Sequence, residues 1–395
     1  MNGLARSQMI KIPLVKPDLP AFATVENGFR ELLLSGKITN FGRYHSEFER
    51  EIGAFLETNV AIVSSGTTGL ILALQASGLP AGGKVILPSF TFAATAQAVL
   101  YAGLVPVFAE IGSDLTLSMD DLELLLSRDD EVTAVVPVHM FGLPARVDDI
   151  RDLVERVRQH RAKPLRIIYD AAHAFGSALG GRKVGTFGDA EVFSLSATKV
   201  LVSVEGGVVS SRNPDFIHRI RRMRNYGMEQ GQNARWSGLN GKMSEFHALI
   251  GAHNLRRLDE LLALRQCKAR HYREAIRTAT ACEIIPWPLD VTHTVKDMAI
   301  LLPAGKHHAR DELVSHLTEA GVETKTYFHP PLHRHELFRR FAARDLPVTE
   351  AISERILVLP FYTSITETEI DYVAQCLADA CHKVSRAAPL TTTVA

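Results

Sequence analysis

Short apolar runs recur along this chain, and each is followed by a stretch with helical character. The run at 60–64 leads into a helix from near Thr67, and that at 85–87 into one from near Thr91. The run at 105–108 precedes a helix at 120–127, and that at 133–139 a helix at 147–159. Runs at 165–170 and 192–196 continue the series. Apolar runs of this length read as strands buried on both faces. Strands alternating with helices build a mostly parallel, doubly wound α/β sheet. Ligands of such sheets gather outside the carboxyl ends of the strands, so polar residues at those ends are the first candidates for chemistry.

The densest set of candidates lies at 169–207, YDAAHAFGSALGGRKVGTFGDAEVFSLSATKVLVSVEGG. Asp170 closes an apolar run. A carboxylate there can keep a pyridine nitrogen protonated, so that the ring draws electrons from a bound substrate. The same residue type also caps helices at strand–helix turns. His173 follows three residues on. Lys199 sits among Leu195, Ala197, Val200, Leu201 and Val202. Loss of water lowers an amine's proton affinity, which makes it a nucleophile toward an aldehyde and a carrier of protons. A surface lysine laying its stem on apolar neighbours is the other reading. Ser194 and Ser196 can donate to a phosphate, or mark the polar face of a strand. Together these are the parts needed to hold and use pyridoxal phosphate.

Further pieces lie at other strand ends. SSGTTG at 64–69 combines a strand end, a glycine turn at Gly66 and the hydroxyls of Thr67 and Thr68. Helix N-termini present free N–H groups and a positive dipole end to phosphate, and the same residues form ordinary caps. In PSFTF, Phe92 or Phe90 can stack on a flat ring or belong to the core. Lys242 precedes a long helical stretch reaching about Ile276, where it can meet a phosphate of its own or a neighbouring subunit, or water. The loop YFHPPLHRHEL at 327–337 carries His329, His333 and His335. Acidic or thiol partners at ligand spacing are missing, so no metal is expected and the loop is read as lining a substrate cleft. A hydrolase using a metal on that loop is the competing reading. A strand is expected at 322–327, and Thr366 with Glu369 forms a capping box for the last helix.

The chain has 395 residues and is 46% hydrophobic, enough for a large core and two domains. Lys plus Arg number 44 and Asp plus Glu 44, so no net field favours nucleic acid or membrane. Four cysteines at irregular spacing suit a reducing cytoplasm, and the N-terminus lacks the apolar core of a signal peptide. The expected organisation is an N-terminal arm at 1–45, a large domain at 46–255, a small α+β domain at 256–385 and a tail at 386–395.

SSGTTG, PSFTF, YDAAHAFG, GDAEVFSLSATK, EGG, RNYG, GKMSE and SERILVLP stand in the order found in the DegT/StrS family of pyridoxal-phosphate sugar aminotransferases, which this chain resembles over about 10–385. The resemblance implies the fold of type I: a mostly parallel seven-stranded sheet in a large domain, a small C-terminal domain, and a homodimer with shared active sites. It implies that Lys199 bonds the cofactor aldehyde, that Asp170 meets the pyridine nitrogen, and that His173 and Phe92 lie against the ring. Gly66, Thr67, Thr68 and Ser194 then hold the phosphate, with Lys242 lent by the other subunit. Thr39 and Asn40 fall in a turn near the substrate, and Tyr327 and His329 on the loop facing it. Lys242 stands where the family often has Arg, and Leu143 where it often has Gln. The implied reaction moves an amine from an amino acid, expected to be glutamate, to a nucleotide-linked 3- or 4-keto-deoxysugar. A keto-cyclitol acceptor and a non-catalytic regulator that binds the same cofactor are the alternatives. The resemblance leaves open the sugar, the keto position, the nucleotide and the product's stereochemistry.

Overall fold

A computed structural model describes residues 11–303 and 310–387. Seven strands form the main sheet: β1 (Asn59–Val63), β2 (Lys84–Pro88), β3 (Val105–Ala109), β4 (Val132–Val135), β5 (Arg166–Asp170), β6 (Ala190–Ser194) and β7 (Gly207–Ser211). Their order across the sheet is β1-β7-β6-β5-β4-β2-β3. The five from β6 to β3 run parallel; β7 pairs antiparallel with β1 on one side and β6 on the other. This is the mostly parallel, seven-stranded α/β sheet expected.

Helices cover both faces, which is why the middles of the strands are largely apolar. On one face lie α2 (Arg43–Leu56), α5 (Met119–Arg128), α6 (Val147–Arg158) and α8 (Glu245–Leu255), burying Phe48, Ile52, Leu122, Ile150 and Ala248 against the sheet. On the other lie α3 (Gly66–Ala76), α4 (Ala93–Tyr101) and α7 (Pro214–Met223), through Leu72, Ala96 and Ile220. A smaller sheet of β8 (Glu283–Ile284), β9 (Met298–Leu301) and β10 (Ile356–Leu359) has β9 at its centre. It packs with α9 (Leu258–Ala279), α10 (Arg310–Glu319) and α11 (Glu367–Ala387) around Tyr272, Leu317, Val373 and Leu377. The capping box forms as expected: Thr366 N–H donates to Glu369 Oε2 at 2.8 Å, and Glu369 N–H to Thr366 Oγ1 at 3.1 Å. Among the described residues no helix is long and apolar enough to cross a membrane.

Local structure departs from expectation in three places. The arm contains a helix, α1 (Phe22–Ser35), which buries Val25 and Leu32, two turns apart. The helical stretch after Lys242 breaks at Arg256–Arg257, and the break lets both Leu255 and Leu258 reach the core. Residues 322–327 make only isolated bridges, Ile12 with Val322 and Lys325 with Val358. The segment's pairing is thus split between two partners, and neither bridge grows into a ladder. Leu258 and Leu262 pack in the main sheet's core, as Leu332, Phe338 and Leu346 do on its other face. Most of the expected tail lies outside the described residues, from 388 onward.

Candidate active site

β5 ends on Asp170, which is 5% exposed. Its Oδ2 accepts from Thr95 Oγ1 at 2.8 Å and its Oδ1 from Ala172 N–H at 3.1 Å. Thr95 lies in the first turn of α4, so the helix following β2 supplies the donor for the carboxylate at the end of β5. No helix follows Asp170, where residues 171–177 form turns, so the residue is not a helix cap. Burial pushes its carboxyl above the ordinary range, against the pull of Thr95, Ala172 and Lys199. A buried anion in this position lacks a full countercharge, and a protonated ring nitrogen would supply one.

Lys199 sits on the loop joining β6 to β7, half-buried. The loop is pinned by Leu195 N–H to Gly206 O at 2.8 Å and Ser203 N–H to Leu195 O at 2.9 Å. Burial first and then Lys296 push the Lys199 ammonium down, against the opposing pull of Asp297, Asp170 and Glu205, to about 8. His173 Nδ1 accepts from Phe141 N–H at 3.3 Å, so its proton is on Nε2. Burial, with Lys199 and Lys296 nearby, holds His173 well below the usual histidine range and therefore neutral. Its ring lies parallel to Phe141 (6.0 Å) and Phe328 (6.5 Å).

The start of α3 faces the carboxyl end of β6. Ser65 caps the helix, accepting from Thr68 N–H at 3.1 Å. The hydroxyls of Ser64 and Ser65 both donate to Thr68 Oγ1, at 3.1 and 3.0 Å, which leaves Thr68's own proton free to donate outward. A Cβ on Gly66 would lie 2.9 Å from Ser194 Cβ, and one on Gly207 only 2.5 Å from Ser65 O. Only glycines allow this backbone approach, and it makes a cradle of N–H groups and hydroxyls suited to a phosphate. Phe90 is fully buried, edge-on to Phe328 and Phe141. Phe92 is 61% exposed at the N-cap of α4, so it is the aromatic free to cover a ring. These features fit pyridoxal phosphate: a phosphate cradle, a buried acid, a depressed amine and an open aromatic face.

The other expected residues lie around this core. Lys242 Nζ donates to Asn225 Oδ1 at 3.2 Å and lies over the Tyr226 ring at 4.7 Å. The adjoining Gly241 O accepts from Ser64 N–H at 2.8 Å, so the loop touches the α3 cradle. Thr39 and Asn40 are exposed, and Asn40 has a left-handed φ of 65°. Their turn is tied to α8 by Glu245, whose N–H donates to Ile38 O at 3.0 Å and whose carboxylate accepts from Gly42 N–H (2.7 Å) and His45 N–H (3.1 Å). Tyr327 stacks on Phe328 at 5.4 Å. His329 is exposed, and its Nδ1 lies 3.1 Å from Ser353 Oγ. The three loop histidines separate: His333 is buried between Ser89 and Glu350, and His335 meets Pro330 O. Among the described residues no group of His, Cys, Asp and Glu is arranged to hold a metal.

Thr95, Phe141, Phe328, Lys296 and Asp297 were not picked out by sequence reasoning. Lys296 and Asp297 did leave a signal, a charged pair directly before the apolar run of β9. The aromatics look like any core residue until the fold brings them together.

Residues 23–378 match the DegT/DnrJ/EryC1/StrS aminotransferase family. The dTDP-4-amino-4,6-dideoxy-D-glucose transaminase of Escherichia coli is 28% identical over 371 residues, 93% of this chain and 98% of that protein. The GDP-perosamine synthase of Vibrio cholerae is 30% identical over 372 residues, 93% of this chain and 98% of that protein. The crystal structure of DesI with its TDP-sugar product superposes with a TM-score of 0.86 at 31% identity, covering 97% of this chain and 95% of that one. With the strand order, the buried acid and the glycine-built cradle already in place, the match along nearly the whole chain makes this protein a member of the DegT/DnrJ/EryC1/StrS aminotransferase family, with pyridoxal phosphate as its cofactor.

Proposed function

We propose that this chain transfers an amino group from an amino acid, with glutamate as the expected donor, to a keto sugar carried on a nucleotide, a 3- or 4-keto-deoxysugar. The observation that carries the site assignment is the pairing of Asp170, buried and held by Thr95, with a half-buried Lys199 whose ammonium is depressed to about 8. Bound here, pyridoxal phosphate supplies an aldehyde and an electron-withdrawing ring. Asp170 would keep the ring nitrogen protonated. Phe92 and His173 would flank the ring. Gly66, Thr67, Thr68 and Ser194 would hold the phosphate, with Lys242 of a second copy completing that grip. Lys199 Nζ is the nucleophile toward the aldehyde. Once released, it takes the proton from the donor's α-carbon and later returns one to the sugar carbon. The transferases named above make amino sugars on dTDP and GDP, which supports a nucleotide-linked acceptor. The exposed loop residues Thr39, Asn40, Tyr327 and His329 are the proposed contacts to it.

A homodimer belongs to this reading. On α1, Phe22, Leu33 and Leu34 are 68%, 71% and 83% exposed, an apolar surface that a second copy would cover. Cys267, Cys282, Cys376 and Cys381 are not joined in disulfides, which suits a cytoplasmic location.

The test has two stages. Borohydride reduction of the cofactor-loaded protein should leave a pyridoxyl group on the peptide bearing Lys199, and none in Lys199→Ala. Glutamate consumption is then followed with nucleotide-linked 3-keto and 4-keto sugars and with a keto-cyclitol. Turnover of the cyclitol alone would replace the proposed substrate class. No conversion of the bound cofactor by any amino acid would point to a regulator without turnover.

A further inference from the structure

Two turns beside the site are held in backbone conformations that their residues disfavour. Phe141 lies in the left-handed region at φ 53°, and Val295 at φ 48°. Bulky and β-branched residues are strained there, and such strain persists only where the surroundings enforce it. Both turns meet at His173. Phe141 N–H donates to His173 Nδ1 at 3.3 Å, with the two rings parallel to within 5°. Thr294 Oγ1 donates to His173 O at 3.1 Å. The turns also hold one another. Lys296 N–H donates to Phe141 O at 2.9 Å. Ser177 Oγ donates to Gly142 O at 2.6 Å and accepts from Thr294 N–H at 3.3 Å. A Cβ on Gly142, whose own φ is 99°, would lie 2.3 Å from Thr294 Oγ1, so the turns close this far only on a glycine. Behind them Arg265, 4% exposed, donates to the carbonyls of Thr294 (3.3 Å), Val295 (2.6 Å) and Lys296 (3.1 Å). A buried guanidinium committed to three successive carbonyls fixes the turn that carries Val295.

We propose that these two turns form a clamp for the transfer reaction, with the Phe141 backbone N–H and the Thr294 hydroxyl as positioning groups that fix the place of His173 and the tautomer it presents. The proposal rests on the reading that His173 lies at the bound cofactor. A neutral imidazole has one donor and one acceptor nitrogen, and only a partner decides which is which. The Phe141 amide can only donate, so it makes Nδ1 the acceptor and leaves Nε2–H as the ring's donor. The amide is not free to turn away, because the carbonyl of Phe141 is held by Lys296 N–H and that of Gly142 by Ser177. Thr294 anchors the backbone from which the imidazole hangs. The left-handed φ of Phe141 is what aims its N–H at the ring, which gives the strain a function. A stacked phenyl ring favours neither tautomer, so the discriminating group is the amide and not the Phe141 side chain.

The test reads the tautomer directly, by nitrogen NMR of the cofactor-free full chain carrying isotope-labelled histidine. The His173 signals are identified by their loss in His173→Gln. The parent should carry the His173 proton on Nε2 alone. Putting the hydroxy-acid analogue of phenylalanine at position 141 turns one amide into an ester and removes only its N–H, so the chain still folds, and both neutral tautomers should then appear. Thr294→Val should mix the tautomers in part, and Thr294→Ser should restore the parent pattern. In the cofactor-loaded protein the ester should slow conversion of the cofactor by the amino donor about ten- to a hundredfold, the size of loss that a misplaced group brings. Its affinity for the cofactor should stay near the parent's. A pure Nε2–H tautomer in the ester protein, or mixed tautomers with an unchanged rate, would overturn the proposal, and a parent-like pattern in the valine variant would remove Thr294 from it. If no amino acid converts the cofactor of the parent protein, the functional reading fails instead, and the tautomers still decide whether the clamp acts on His173.

Discussion

Asp170 depends on a neighbour that makes a sharp test of the site. Thr95→Val keeps the side chain's shape and deletes the 2.8 Å hydrogen bond to Asp170 Oδ2. The carboxylate keeps the Ala172 N–H at 3.1 Å on its other oxygen. A hydrogen bond to a charged group contributes about 1.5–3 kcal/mol. At about 1.4 kcal/mol per unit, its loss should raise Asp170's proton affinity by roughly one to two pH units. The direction follows because Thr95 stabilises only the ionised form, whereas burial already favours the neutral one. Asp170's folded value lies above its unfolded one, so the folded protein binds the extra proton between the two. Cofactor-free stability therefore falls as pH rises through that window, and the valine variant extends the window upward. The assay is the pH dependence of unfolding for parent and variant without cofactor, paired with cofactor affinity near neutral pH. There the variant should bind more weakly, because part of its Asp170 is uncharged. Superimposable pH profiles and equal affinities would refute the assignment of Thr95 as the donor that holds Asp170 ionised.

Other consequences can be checked alongside. Glu245→Ala strips the buried acceptor from the N–H groups of Gly42 and His45 and should cost about 2–4 kcal/mol in urea unfolding, with the turn at 38–42 loosened in hydrogen exchange. Gly66→Ala places a Cβ 2.9 Å from Ser194 Cβ, so the chain should fold with the α3 cradle displaced and bind inorganic phosphate and pyridoxal phosphate more weakly, but pyridoxal nearly as before. The Lys199 ammonium is at about 8, so attachment of pyridoxal to the cofactor-free protein should rise through that pH. An ordinary lysine would rise only near its usual 10.4.

The sheet and the candidate reacting groups were legible because each rests on local chemistry. A buried parallel strand must be apolar, a carboxylate at its end is visible, and a lysine among Leu195, Val200 and Leu201 stands out against the usual solvated surface. What stayed hidden was pairing across sequence distance. Nothing in the spacing says that Thr95, on a helix 75 residues earlier, would turn its hydroxyl on Asp170. Glu245 shows the same limit from the other side. In GKMSE it reads as an acidic residue opening a helix, where the dipole favours it. Folded, it serves two helices: it starts α8, and its carboxylate crosses to cap the backbone entering α2, a contact spanning 203 residues. The same side chain therefore couples the loop carrying Lys242 to the turn carrying Thr39 and Asn40. In the proposed reading one of these grips phosphate and the other meets the sugar, so a buried acid that touches neither ligand would hold the two sites in register. This account predicts that loosening at Glu245 weakens cofactor and acceptor together, whereas damage at Thr95 falls on the cofactor alone.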